Sequence, residues 1–384
     1  MTRSFKILNF KVLIIYIFSL ISPFYLYEGL LTFFKFKQFK MFNESIEGLN
    51  EFKENLEAKF GQNVVKRQIG PAQILNEDTN NLPLGGYRSS IIPFCNENGY
   101  WEYYISDELG FNNLYKYENP KILLIGDSFA EGYCVKQQET LASYLTYKGL
   151  TTYSLGKGGN SSLIEFATLK EFYEEFDSEY VIWLHYENDI YDIDTEYKNN
   201  ILSKYLDSDF KQNLLSKNFD INNFYDQIDS NTNKFLYRNL IKSFFKITYT
   251  RQQLRYIFNK FYNINDTIYV NNLTKVDFEI FNKIINKILY FSEQKEFKFI
   301  FIYLPSYEQI YEIGNYFYQD RVKEEVFMNL DSLGVNYYDL SEAIFSDKEK
   351  LYFPGIEYGL NLAFHYNSNT YLEISDFIET IINE

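Results

Sequence analysis

The run Lys121–Gly132, KILLIGDSFAEG, constrains the fold more than any other stretch of the chain. Ile122–Ile125 is a short continuous apolar run, the pattern of a strand buried on both faces of a parallel sheet. It stops at Gly126-Asp127-Ser128. Glycine permits a tight turn, and an aspartate can bond nearby backbone amides. The run therefore predicts a strand that delivers Ser128 at its carboxyl end, where open α/β sheets bind ligands. Ser128 is the candidate nucleophile.

Three later segments bear on that chemistry. Tyr153–Ser162, YSLGKGGNSS, follows a helix-like stretch at Gln138–Lys148 and a short extended piece at Leu150–Tyr153. Its glycines let backbone approach a bound atom, so an amide there can serve an oxyanion. Tyr180–Asp189, YVIWLHYEND, holds a second buried-strand run that ends at Asn188-Asp189. The Asn188 side-chain amide is a candidate oxyanion donor. The chain has two histidines, His185 and His365. His185 lies inside an apolar strand and reads as a core residue. His365 lies in a loop before the last helical pattern and is the candidate general base.

These four segments, in this order, resemble the four blocks of the SGNH hydrolases, the GDSL esterases. GDSFAEG matches the serine block at Ser128, and GKGGNSS resembles the glycine block with Gly159 at the oxyanion position. HYENDI resembles the asparagine block at Asn188, and FHYNSNTYLEIS the histidine block at His365. The resemblance runs from roughly Lys116 to the C-terminus. It implies a three-layer α/β/α sandwich around a parallel five-stranded sheet. It also implies a serine esterase acting on short acyl esters, with Ser128, Gly159 and Asn188 forming the oxyanion hole. One position departs: the family's aspartate, three residues before the histidine, is Leu362 here. Asn361 and Glu357 are the nearby polar groups that could orient the imidazole, with Asp339 further back. The departure keeps open a catalytically weak or inactive glycan-binding protein of the same fold. A lipase or thioesterase is a third reading.

Strand and helix patterns alternate after Lys121, as in a parallel sheet covered on both faces. The alternation lapses over residues 190–273, which read as a helical insertion. It resumes with an amphipathic stripe at Thr274–Phe291, a strand at Lys298–Leu304, a helix at Arg321–Leu333, a strand at Val335–Leu340 and a closing helix at Tyr371–Ile382. The expected organisation is an anchor with flanks over residues 1–40, an extension over 41–118 and the hydrolase-like domain over 119–384. Trp101–Asn112, with Asp107 and Gly110-Phe111, resembles a lead-in often seen before the serine block in membrane-anchored members.

Net charge is −15, which leaves no basic stripe to neutralise phosphates and argues against nucleic-acid binding. Cys95 and Cys134 allow one disulfide at most; a bridge and two free thiols both stay open. Their spacing suggests no metal site, and the acidic stretch Glu187–Glu196 lacks the glycine of a calcium loop. No metal or cofactor is expected.

Val12–Tyr27 carries no charge, Glu28 interrupts it, and Gly29–Phe34 continues it, with Arg3, Lys6 and Lys11 ahead. Together these stretches reach the length of about 20 residues that a spanning helix needs. With no small-residue cleavage pattern, the run reads as an uncleaved signal anchor. The expected location is a bacterial inner membrane, crossed once, with the domain on the extracytoplasmic side. The expected substrate is an acylated glycan of the envelope or another small ester.

Overall fold

The computed structural model describes residues 48–62, 64–75, 79–216, 219–228, 276–314, 316–354 and 365–384, with 12, 16, 19, 21–34 and parts of 241–254. The chain divides into two compact units. One is Met1–Asn50 with Asp226–Tyr269; the other is Glu51–Tyr225 with Val270–Glu384. The extension from Glu51 onward thus belongs to the same unit as the sheet.

The larger unit is mixed α/β. A hairpin, β1 (Ile91–Cys95) and β2 (Glu102–Ile105), precedes a five-stranded sheet of β3 (Ile122–Gly126), β4 (Thr152–Ser154), β5 (Tyr180–Tyr186), β6 (Lys298–Leu304) and β7 (Tyr337–Asp339). Its order is β4-β3-β5-β6-β7, and every pairing in it is parallel. The chain leaves β3 toward one edge and β5 toward the other. Such a reversal opens a crevice at the carboxyl ends of the two strands, which here carry Ser128 and Asn188.

Alternate residues of the central strands face opposite sides. Ile122, Leu124, Ile182, Leu184, Ile300 and Ile302 share one core with Leu141 and Leu145 of one helix and with Ile374 and Ile378 of another. These helices are α2 (Leu141–Tyr147) and α5 (Ser368–Asn383), and the short helix Ser128–Glu131 is α1. On the other face Trp183 donates to Glu165 of α3 (Ser162–Phe172) at 2.5 Å. It also packs on Phe281 of α4 (Val276–Lys295), with ring centroids 6.1 Å apart. His185 is fully buried, and burial pushes its pKa down to about 3. It is a neutral core residue, as its apolar strand suggests.

In the smaller unit residues 21–34 are helical. Glu28, which interrupts the apolar run, is buried there. Its carboxylate accepts the amides of Tyr249 at 3.1 Å and Thr250 at 2.6 Å. Among the described residues no helix is long and apolar enough to cross a membrane. Much of the run from Val12 to Leu20 lies outside those residues.

Candidate active site

The turn after β3 is sterically specified. Gly126 has φ 149°, and a Cβ there would lie 2.6 Å from the Leu184 carbonyl oxygen. Asp127 caps α1 by accepting the Phe129 amide at 2.9 Å. Ser128 is then the first residue of a helix, at the carboxyl end of β3.

His365 joins the turn from the far end of the chain. Its Nε2 lies 2.8 Å from Ser128 Oγ. The structure thus brings Ser128 and His365 together, while the preceding residues 355–364 lie outside the described residues. The orienter candidates Glu357 and Asn361 fall in that segment. Asp339 instead caps the following turn through the Ser341 amide and pairs with Lys323.

Glu97 occupies the orienting position. Its Oε1 is 2.9 Å from His365 Nδ1, and its Oε2 accepts the His365 backbone amide at 3.1 Å. One carboxylate thus holds both the ring and the main chain of the histidine. A carboxylate accepting at Nδ1 places the ring proton there and leaves Nε2 free to take the Ser128 proton. The side chains of His365 and Glu97 are 15% and 14% exposed. Tyr133 and Phe129 flank the imidazole, with ring centroids at 4.5 and 5.1 Å.

Sequence reasoning sought the orienter beside His365 and missed Glu97, which is 268 residues away. A usable signal was nonetheless there. Cys95 and Cys134 form a disulfide, with Cα atoms 5.1 Å apart. Cys134 follows Ser128 closely in the chain, so a bridge must bring residues near Cys95 to Ser128, and Glu97 is the acid next to it. Cys95, Glu97 and Cys134 converge closely enough to suggest metal ligands, but bridged sulfurs offer no thiolate.

The glycine loop lies against Ser128 and α1. A Cβ on Gly156 would fall 2.4 Å from the Ala130 carbonyl carbon and the Glu131 nitrogen, so the loop touches α1 backbone there. A turn from Lys157 to Asn160 follows, closed by the Asn160 amide on the Lys157 carbonyl. Gly158 is the glycine beside Ser128, its ideal Cβ 3.6 Å from the serine Cβ. Its amide is committed to Glu131 Oε2 at 2.7 Å. Gly159 is exposed at the tip with φ 82°. Asn188 is exposed in the turn that ends β5.

A buried ion pair sets this loop. Lys157 Nζ lies 2.5 Å from Glu131 Oε1 and donates to Tyr104 Oη at 2.6 Å, while Tyr104 donates to the same carboxylate oxygen at 2.9 Å. The ion-pair side chains are 2% and 0% exposed. The lead-in docks on the same region. Asp107 accepts the amides of Leu109, Gly110 and Phe111. Asn112 donates to the Glu131 carbonyl, and Asn113 bridges to Ser154 of β4.

Two further acids shape the electrostatics. Burial pushes the Asp127 carboxyl up to about 6, against the Phe129 amide and the His365 charge. Glu187, next to Asn188, is pushed up to about 8 by burial and by Glu308, despite a bond from Gln319. Its pKa is thus raised on folding from an ordinary 4.5. Its stabilising contribution is complete below that ordinary value and is lost as pH rises through 8. Within this window the unfolded chain releases a proton that the folded chain keeps. The limiting slope for one group is about 1.4 kcal/mol per pH unit. Glu187→Gln should flatten the loss of stability between about pH 5.5 and about pH 7.5 by about 1 kcal/mol or more. Urea denaturation at the two pH values measures it; an unchanged slope would mean an ionised carboxyl.

No family model matches the chain, and no curated protein matches it. Seven solved chains match. One of them shares 8% identity, with an alignment over 69% of this chain and 97% of its own, at a TM-score of 0.35. At that level it carries no argument about fold or site.

Proposed function

We propose that the chain is a serine esterase of the SGNH type, hydrolysing or transferring short acyl esters. The single observation that carries this reading is the continuous path from Ser128 Oγ through the His365 ring to Glu97, with contacts of 2.8 and 2.9 Å. Ser128 attacks the ester carbonyl as Nε2 takes its proton, and the resulting imidazolium is stabilised by Glu97. The Ser128 and Gly159 amides and the Asn188 side-chain amide are the proposed oxyanion donors. His365 returns its proton to the leaving alcohol, leaving an acyl-serine. Water, or an acceptor hydroxyl in the transfer case, then attacks it with His365 again as base.

The sheet order and the crevice between β3 and β5 support the sandwich fold of that family. The case for an inactive glycan-binding protein rested on the missing aspartate at Leu362, and Glu97, in the turn between β1 and β2, offers a carboxylate to the same ring. A disulfide supports an oxidising compartment. This agrees with an anchor at Val12–Phe34, a domain outside the cytoplasmic membrane, and O-acetyl groups on an envelope polysaccharide as substrate. Covalent labelling with a fluorophosphonate tests the reading. The chain should label at Ser128, and Ser128→Ala should neither label nor release acetate from 4-nitrophenyl acetate. Undiminished labelling of Ser128→Ala, or no labelling of the unmodified chain beside a reactive control hydrolase, would refute it.

A further inference from the structure

We propose that the Cys95–Cys134 bridge, together with Asn98, is the positioning device that holds Glu97 on His365, so that the carboxylate meets the imidazole only in the oxidised chain. The proposal rests on the esterase reading above.

Glu97 is not held by a strand. The β1–β2 ladder is irregular between Pro93 and Cys95 and ends at the Cys95–Glu102 pair, and Glu97 lies in the turn between those two residues. Two of the links between this turn and the loop after Ser128 end on Cys134. One is the disulfide itself. The other is the Asn98 Nδ2 bond to the Cys134 carbonyl at 2.7 Å. The Glu97 amide closes the turn locally by donating to Cys95 Sγ at 3.4 Å. Cys134 Sγ is also 4.0 Å from His365 Nδ1, so the bridge touches the ring that Glu97 orients.

Cys134 has φ 65°, a conformation that persists in non-glycine residues only where surrounding contacts over-determine it. The bridge and the Asn98 bond are such contacts. Without the bridge, the turn that carries Glu97 loses its covalent tie to Cys134, and a displacement of about 1 Å between reacting groups is enough to cost about 10²-fold in rate. Forming the bridge takes two electrons and two protons from the two thiols. They pass to a small-molecule disulfide, which leaves as two thiols. A chain kept in a reducing compartment would then carry the serine and histidine without their orienting acid.

Turnover of 4-nitrophenyl acetate by the full chain tests this in four forms: unmodified, Cys95→Ala/Cys134→Ala, Glu97→Gln, and all three changes together. The cysteine changes should lower kcat about 10²-fold with KM nearly constant. In the Glu97→Gln background they should cost less than about two-fold, because the group they position is already absent. Unmodified chain prepared with free thiols should gain the same factor on addition of glutathione disulfide. Full kcat in the cysteine variant, or equal losses in both backgrounds, would overturn the proposal.

If the cysteine variant lacks a cooperative thermal transition, Asn98→Ala replaces it, since that change leaves the bridge intact. It should cost about ten-fold in kcat, again only when Glu97 is present. An unchanged kcat overturns the positioning role. Normal turnover by Ser128→Ala would instead sink the esterase reading, whatever the cysteine variants do.

Discussion

Glu97→Gln should lower kcat for ester hydrolysis by about 10³-fold or more while changing KM little, the scale seen when the orienting acid of a serine triad is neutralised. Both oxygens of Glu97 accept hydrogen bonds, one from the ring Nδ1–H and one from the His365 main chain. Glutamine has one acceptor and one NH2 group for these two donors. If its NH2 faces Nδ1, the ring moves its proton to Nε2 and loses its lone pair toward Ser128. If its NH2 faces the backbone, the donor at residue 365 loses its partner and the turn shifts. In neither arrangement does a negative charge stabilise the imidazolium. Glu97→Asp keeps the charge on a stem one methylene shorter and should recover part of kcat. That partial recovery separates an orienting role from a merely structural one. Equal kcat in Glu97→Gln and the unmodified chain, by steady-state kinetics, would remove Glu97 from the mechanism.

The difference between what could be read from the sequence and what could not follows from the range of the interactions. β3, β5 and β6 are legible because a strand buried on both faces must be apolar throughout, and the burial of Ile122–Gly126 bears that out. Ser128 is legible because its turn is local, and His365 because few histidines compete for the role. Glu97 is not legible by proximity: its partner is fixed by a disulfide and a hairpin turn, and apolar periodicity reports neither. Composition likewise could not reveal that Lys157 and Glu131 pair inside the unit. Each is an ordinary charged residue in its own segment, and burial arises only when the glycine loop lands on α1. Glu28 illustrates the same limit. In the sequence it is only a charge that interrupts an apolar run, whereas its carboxylate accepts two amides more than 200 residues away.

Glu131→Gln should destabilise the larger unit by about 3–5 kcal/mol, the cost of leaving a buried charge without its partner. Lys157 is nearly inaccessible to water, and its ammonium has Tyr104 Oη and Glu131 Oε1 as its oxygen neighbours. Glutamine keeps the shape but removes the counter-charge. Its NH2 group must also face either the Lys157 ammonium or the Gly158 amide, both of which are donors. The double variant Glu131→Gln/Lys157→Met removes the unpaired charge while keeping an unbranched chain in its place. It should regain more than about 1 kcal/mol of the loss, since removing both charges avoids the larger penalty of stranding one. Full recovery is not expected, because the Gly158 amide still faces an amide group in place of a carboxylate. Urea denaturation followed by the fluorescence of Trp183, buried in this unit, measures both changes. The same ion pair ties the last residue of α1 to the loop beside Ser128, so the single variant should also lower kcat at temperatures where it remains folded. A single variant as stable as the unmodified chain would mean that water reaches Lys157 and that the loop is set by the Gly156 contact with α1 alone.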